Sequence, residues 1–421
     1  MRIQKTGLVL LLSSLSFVTW SNPVIGSEDE LILEKYSDPA LTNFVWTVVE
    51  TNPRVQAARA ALEASRALES AAGKPLYNPE LEADYESAVD RTWEVGIGQT
   101  LDWSGKRKAR ASAAASDRHA VEAEYLATRR DLAVDLLSGL TLYQVGVQRD
   151  TLAAERERVM RDFAQLAERR FDAGDLNQVE ADLATLASID AQIQRATAAA
   201  DLAEAKQTVR NLTLHSESDR WPSVDSNLPV MPTVNDPQKW VMDLPEVLAA
   251  QRRVDSADAL VDLRERERRP DPTLSLRGGR EDGSTLVGVT LSVPLYIRNS
   301  FKYEVSAAVA ERDQAQQIVD DLLRRAYARF VSASERYQLA RDAWQGWEQV
   351  GQLSLQRQGD LLQRMWEAGE LSTTDFLVQL RQTLDTRDSA LDLQLTMWRA
   401  WFEWLAASGQ VDKWLGQGES L

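Results

Sequence analysis

The feature that most constrains this chain is an internal duplication. The stretch Arg169-Arg170-Phe171-Asp172-Ala173-Gly174-Asp175-Leu176-Asn177 returns as Arg364-Met365-Trp366-Glu367-Ala368-Gly369-Glu370-Leu371-Ser372. Pro53 in Asn52-Pro53-Arg54-Val55 matches Pro245 in Leu244-Pro245-Glu246-Val247. Gly96 in Val95-Gly96-Ile97 matches Gly288 in Val287-Gly288-Val289 at the same offset. A repeat of this length is one supersecondary plan carried out twice. In each nonapeptide the glycine, Gly174 or Gly369, suits the left-handed residue that closes a helix. Asn177 and Ser372 suit the N-cap of the next helix, and Glu180 and Asp375 three residues on complete a capping-box pattern. Each copy therefore predicts a turn between two antiparallel helices.

The flanking helices are very long. From Gly105 to Ala173 there is no proline and few glycines, which allows a helix of roughly 100 Å at the usual rise per residue. Val145, Leu152, Val159 and Leu166 recur every seventh residue, as do Leu126, Ala133, Leu140 and Val147, the period of a coiled coil. The partner helix runs from Leu176 to about Leu212. The second pair spans about Phe301 to Trp366 and Leu371 to Ala407. Such lengths exceed the globular mean several-fold and suit a spacer or a tube wall better than an enzyme core.

Ahead of each long helix the period changes to two. In Glu80-Leu81-Glu82-Ala83-Asp84-Tyr85-Glu86 apolar and acidic residues alternate, and after Val89-Asp90-Arg91 the residues Trp93, Val95, Ile97 and Leu101 share a face. Leu274 and Leu276, a turn across Gly278-Gly279 to Gly283, and then Val287, Val289, Leu291 and Val293 repeat the pattern. These are two hairpins, 79–103 and 272–296, with strands of the length a tilted strand needs to cross a bilayer. Four strands cannot close a barrel, and open edges are not tolerated in lipid. Membrane strands would have to be pooled among copies, about eight for two chains or about twelve for three. The alternative is a small soluble sheet packed on the helices.

The organisation that follows is a signal peptide (1–26), a first repeat (27–212), a linker (213–243), a second repeat (244–408) and a tail (409–421). Arg2, Lys5, the apolar run Leu8 to Val18 and the small residues from Ser21 to Ser27 have the order of a secretory signal. Pro222, Pro229, Pro232 and Pro237 bar a long helix from the linker. A net charge of −16 argues against a nucleic-acid partner. The absence of cysteine removes disulfides, thiol chemistry and lipid-modified cysteine. His119 and His215 lack ligand spacing, and no nucleophile elbow or phosphate loop is present. Neither an enzyme nor a cofactor or metal site is expected. Trp398, Trp401, Trp404 and Trp414, at mostly helical spacing, fit helix packing or interface anchoring.

With these residues assembled, the chain resembles the TolC family of outer-membrane efflux proteins over nearly everything after the signal peptide. Gly98-Gln99-Thr100-Leu101-Asp102-Trp103-Ser104-Gly105-Lys106-Arg107 is similar to the strand-to-helix junction of the CzcC-like branch, which serves heavy-metal pumps of the resistance-nodulation-division (RND) type. Val293-Pro294-Leu295-Tyr296 with Arg298-Asn299 is similar to its second junction. The resemblance implies a mainly α chain with a β-barrel contribution: a homotrimer with a twelve-stranded barrel and an α-helical periplasmic tunnel. It also implies a periplasmic adaptor (membrane fusion protein) and an inner-membrane RND pump as partners, outer-membrane lipid around the barrel, and passive export of heavy-metal cations on adaptor contact. Drugs, other small molecules or type I secretion substrates are the alternative cargo, and a soluble periplasmic scaffold is the alternative class.

Several residues become candidates for function. Asp172, Asp175, Glu367 and Glu370 would form an acidic ring at a tunnel mouth in a trimer, or are simply solvated turn residues. Glu180 and Asp375 match acids that narrow the entrance in the family, besides their capping role. Leu371 stands where some relatives carry an Arg that locks the closed state. Phe171, Trp366, Leu176 and Leu371, around Gly174 and Gly369, would meet an adaptor hairpin or pack across the turns. Lys106, Arg107, Lys108 and Arg110 would mark the membrane boundary, or begin a solvated helix.

Overall fold

The computed structural model describes residues 38–87, 91–214, 220–224, 229–233, 236–368 and 370–416, so the expected signal peptide and His215 lie outside the described residues. The first half runs α1 (Pro39–Thr51), α2 (Pro53–Ala72), β1 (Glu80–Ser87), β2 (Arg91–Thr100), α3 (Lys106–Asp172) and α4 (Gln178–Thr213). The second half runs α5 (Pro237–Met242), α6 (Pro245–Glu267), β3 (Thr273–Glu281), β4 (Ser284–Ser292), α7 (Lys302–Gly346), α8 (Gln352–Glu367), α9 (Thr373–Ser408) and α10 (Val411–Trp414). Pro53 opens α2 at its first position, with the Asn52 side chain accepting from Arg54 N at 2.9 Å. The prolines of the linker confine its described helix to the six residues of α5. Among the described residues no helix is long and apolar enough to cross a membrane.

The 67 residues of α3 form one uninterrupted helix. Its counterpart is broken by a π-helical turn, Trp347–Gly351, between α7 and α8, where a single helix was expected. Within that turn the Trp347 ring lies over Gly351, in space that a Cβ would fill. The heptad read off the sequence holds where Ala133, Leu140 and Val145 are buried, and the seam departs from it toward the tip. Ala153, Arg156, Met160, Phe163 and Ala167 are buried, one residue beyond the half-buried Leu152, Val159 and Leu166. α3 packs on α2, α4, α6 and α9, so small residues face the nearest neighbour, as where Gly146 lies against Leu202 of α4. The larger side chains are displaced to the flanks of that contact. Near the tips α3 lies between α4 and α9, and α9 lies between α3 and α8. This leaves α4 and α8 as the edges of the layer.

The four strands form one antiparallel sheet in the order β1-β2-β3-β4. Its register aligns Leu81, Ile97, Leu276 and Val289 in one row. Trp93, Val95, Leu101, Leu274, Val287 and Leu291 stand on the same face, all exposed. That face is open, so the small sheet packed on helices is not what forms. The opposite face is polar: Arg277 reaches Glu94 at 3.3 Å and Thr290 at 2.8 Å, and Thr100 pairs with Thr273 at 2.8 Å. Gly278 and Gly279, expected in the turn, lie inside β3. A Cβ on Gly279 would collide with the Trp93 carbonyl, so the glycine is needed for strand approach. Asp282 and Gly283, with φ of 45° and 88°, make the turn instead.

The main core sits where α1, α5, α10 and the end of α9 gather around α3 and α7. Trp398, Trp401, Trp404, Trp414, Phe402 and Tyr337 are fully buried there with Leu132, Leu136 and Leu140. Trp401 stacks on Trp404 with ring centroids 5.0 Å apart, and the Tyr337 hydroxyl donates to Pro229 O at 2.6 Å. The C-terminal tryptophans are thus packing residues. Trp401→Ala should cost about 3–5 kcal/mol, read as a lowered melting temperature of the detergent-solubilised protein.

Candidate functional site

The first tip is closed by backbone geometry. Ala173 N donates to Arg169 O at 3.1 Å, Gly174 N to Phe171 O at 2.9 Å and Asp175 N to Arg170 O at 2.8 Å. Gly174 takes φ of 82° with nothing near the position of a Cβ, so the requirement for glycine comes from the dihedral alone. The Asn177 side chain accepts from Glu180 N at 3.0 Å, and Glu180 accepts from Asn177 N at 3.3 Å. At the second tip Glu370 N donates to Met365 O at 2.9 Å, and the Ser372 hydroxyl accepts from Asp375 N at 3.1 Å. The shorter Asp375 carboxylate takes the Ser372 hydroxyl, at 2.7 Å, where Glu180 takes an amide. Gly369 and the Glu367 side chain lie outside the described residues. Asp172, Asp175, Glu370 and Asp375 are exposed, and Glu180 is half-buried.

The apolar tip residues divide differently from the expectation. Trp366 is buried, stacked on Phe376 with ring centroids 4.7 Å apart and 5.0 Å from Phe163. Arg170 lies 5.2 Å above the Trp366 ring, a cation–π contact across the two tips. Leu176 and Leu371 pack on this cluster. Trp366 therefore cements tip to tip and is not a free docking side chain; Phe171 remains at the surface. Phe163, Phe376 and Arg170 were not singled out from the sequence. Their signal was an aromatic one or two helical turns from each tip, on the face that α3 and α9 turn to each other.

Farther from the tips, α9 is braced to α3 and α4 by Arg149–Asp388 at 2.8 Å, Arg156–Asp385 at 2.6 Å and Arg381–Asp190 at 2.6 Å. Each joins one repeat to the other. Pairs this exposed contribute at most about 1 kcal/mol each, so they set register more than stability.

The basic cluster after β2 also divides. Lys106 is buried, its Nζ 2.9 Å from Asp271 Oδ2 and 2.7 Å from Arg269 O. The Tyr77 hydroxyl donates to the same Asp271 oxygen at 2.8 Å. Burial, and then the Asp271 carboxylate, push the Tyr77 phenol up to about 12. Arg110 donates to Ala72 O and Lys74 O, closing the end of α2. Lys106 and Arg110 are thus taken out of any membrane-facing patch, because each satisfies buried or terminal acceptors. Arg107 and Lys108 stay exposed. Asp102 caps α3 by accepting from Lys106 N and Arg107 N, at 2.8 and 2.7 Å. Among the described residues no group of three His, Cys, Asp or Glu is placed to hold a metal ion.

Residues 47–213 match the family described as outer membrane efflux protein. The chain is 25% identical over 346 residues to the cobalt-zinc-cadmium resistance protein CzcC of Cupriavidus metallidurans, covering 79% of this chain and 78% of the relative. Its fold is that of a membrane protein from Pseudomonas aeruginosa, with TM-score 0.77, 17% identity and coverage of 89% and 93% of the two chains. It is likewise that of the CmeC outer membrane channel of Campylobacter jejuni, with TM-score 0.73, 15% identity and coverage of 96% and 94%.

Lys106→Met alone should leave Asp271 buried without its cation and cost about 3–5 kcal/mol. The double change Lys106→Met with Asp271→Leu should recover most of that loss. Both are read as melting temperatures of the purified protein.

Proposed function

We propose that this chain, a member of the outer membrane efflux protein family, is the outer-membrane channel of a tripartite efflux system. It is a passive duct for heavy-metal cations that works with a periplasmic adaptor and an inner-membrane RND pump, conducting cargo without catalysing a reaction. The observation that carries this reading is a matched pair of open edges. The sheet ends at β1 and β4, and the helical layer ends at α4 and α8. The α4 edge exposes Val179, Leu186 and Ile193, seven residues apart, with Leu183 between them. The α8 edge exposes Leu353, Leu361 and Met365. One rotation between copies pairs β1 with β4 and α4 with α8, and repeating it closes a ring. Three copies give a homotrimer of twelve strands around an open lumen, with the apolar face toward outer-membrane lipid and the polar face inward.

Metal cations as cargo are supported by the relative named for cobalt-zinc-cadmium resistance. The polar strand face points the same way, with Glu80, Glu82, Asp84, Glu86, Glu94 and Glu281 against the single cation Arg277. Asp172, Asp175 and Glu370 make the acidic mouth, where they favour cations. Glu180 and Asp375 stand just inside it. Gly174 shapes the turn that presents Phe171 to the adaptor, and Arg107 and Lys108 lie at the membrane boundary. The two repeats each supply a hairpin and a helical tip, β1–β2 with α3–α4 and β3–β4 with α8–α9.

A deletion strain tests the cargo: hypersensitivity to cobalt, zinc or cadmium is expected, and sensitivity to drugs alone would reassign it. Gly174→Val with Gly369→Val should abolish resistance while the protein still fractionates with the outer membrane. Leu186→Glu with Ile193→Glu should convert a heat-sensitive trimer band into monomer.

A further inference from the structure

We propose that the π-helical turn Trp347–Gly351 is a hinge on which the tip end of the protomer bends, and that this bend opens and closes the tunnel mouth. This rests on the duct reading above and adds where in the wall the movement arises. α7 and α8 behave as one helix carrying a surplus residue. Along α7, Ala326, Phe330, Ala333, Tyr337 and Ala340 are buried in alternating steps of four and three. Continued past the turn, that order would bury Ser354, Leu361 and Met365, yet all three are exposed. Leu355, Leu362 and Trp366 are buried in their place, each one residue later. The facing helix shows no such slip: Phe376, Thr383, Ala390, Met397 and Trp404 of α9 are buried at a constant spacing of seven. The extra residue is therefore held in the turn. There the ladder of α-helical hydrogen bonds is interrupted, which is where a helix bends sharply.

The surroundings of the turn suit a pivot. No residue of the turn is buried, whereas the helix is anchored on both sides of it. On one side Tyr337 packs against Trp401 with ring centroids 4.9 Å apart, and on the other Trp366 stacks on Phe376. Two firmly held ends joined by a loosely held turn place any bend at the turn. Behind it lies a cavity of about 480 Å³, bounded by Trp344 and Trp347 with Gln148 and Leu152 of α3 and Leu391 of α9. The Trp344 indole N–H is buried without a hydrogen-bond partner, so the packing here leaves a polar group unsatisfied. Arg387 of α9 reaches Glu155 of α3 at the same cavity, at 3.5 Å, a half-exposed pair that offers little resistance. The cavity gives α8 room to tilt. At this level α3 and α9 run through without a break and flex smoothly along their length, while the edge helix yields at one point. A tilt of α8 carries the exposed Glu370 with it and so changes the width of the acidic mouth.

Deletion of Val350 removes the surplus residue and restores the order of four and three, whereas V350A keeps the residue count. Both are made in the full chain and expressed in place of the unaltered protein. The deletion should leave a heat-sensitive trimer in the outer membrane and lower the tolerated concentration of cobalt, zinc or cadmium several-fold, and V350A should match the unaltered chain. Full resistance in the deletion would overturn the hinge. Equal loss in V350A would assign the effect to the side chain and overturn it as well. A second measurement decides the matter even if the deletion does not assemble. The chain contains no cysteine, so spin-label pairs can be placed by L339C/Q358C across the turn and by T185C/E204C on the unbroken α4, each 19 residues apart. With labelled chains diluted among unlabelled ones, the distance distribution across the turn should be at least twice as wide as that on α4. Deletion of Val350 should narrow it to the α4 width. Equal widths in the unaltered background would overturn the hinge. If a strain lacking the whole protein keeps its metal resistance, the duct reading fails, and the label widths still decide whether the turn bends.

Discussion

The structure depends on one requirement of the peptide backbone, that every N–H and C=O placed in lipid must find a partner in protein. The chain builds a sheet whose inner strands satisfy each other and whose outer strands, β1 and β4, do not. No rearrangement within one copy removes those edges, because four strands are too few to curve back on themselves. The apolar face compounds the requirement, since Ile97, Leu276 and Val289 gain nothing from water and have no helix beneath them. Hydrogen-bond bookkeeping alone therefore leaves two edges of the sheet open before any side chain at an interface is considered. The helical layer inherits the same order of elements and the same incompleteness.

Fixing a sheet on one side of very long helices raises a second problem, the transfer of orientation from strand to helix. The junctions solve it with polar contacts between repeats. Lys106 from the first half is neutralised by Asp271 from the second, and Arg266 reaches across to Ser104. Arg253 carries the same style of bracing onto the upper helices, reaching from the second half to Asp117 and Glu124 of the first. The mid-level core then adds apolar mass, with Trp401 and Trp404 at its centre. Two pseudo-equivalent halves become one body because their most expensive groups to leave unpaired are paired with each other.

Much of this was legible in the sequence where the signal is local. Gly174 followed by Asn177 and Glu180 specifies a helix end, a cap and a new helix through nearest-neighbour chemistry, and the capping box forms. The alternation from Trp93 to Leu101 gave strand and face together. What failed was anything decided across sequence distance. Lys106 reads as a surface cation until Asp271 is brought beside it, and Trp366 reads as a docking residue until Phe163 arrives from the other repeat. Gly278 and Gly279 read as a turn because a lone strand gives glycine no purpose; their purpose is the backbone of β2. The π-helical turn at Trp347 left no trace in a period count, because one extra residue in one turn barely disturbs the average.

The shared aromatic cluster below the braces has a mechanical corollary. Phe163 belongs to one hairpin, Trp366 and Phe376 to the other, and their rings are in mutual contact beneath Arg170. The two hairpins cannot part like fingers without exposing that cluster to water, so any displacement of one tip has to carry the other with it.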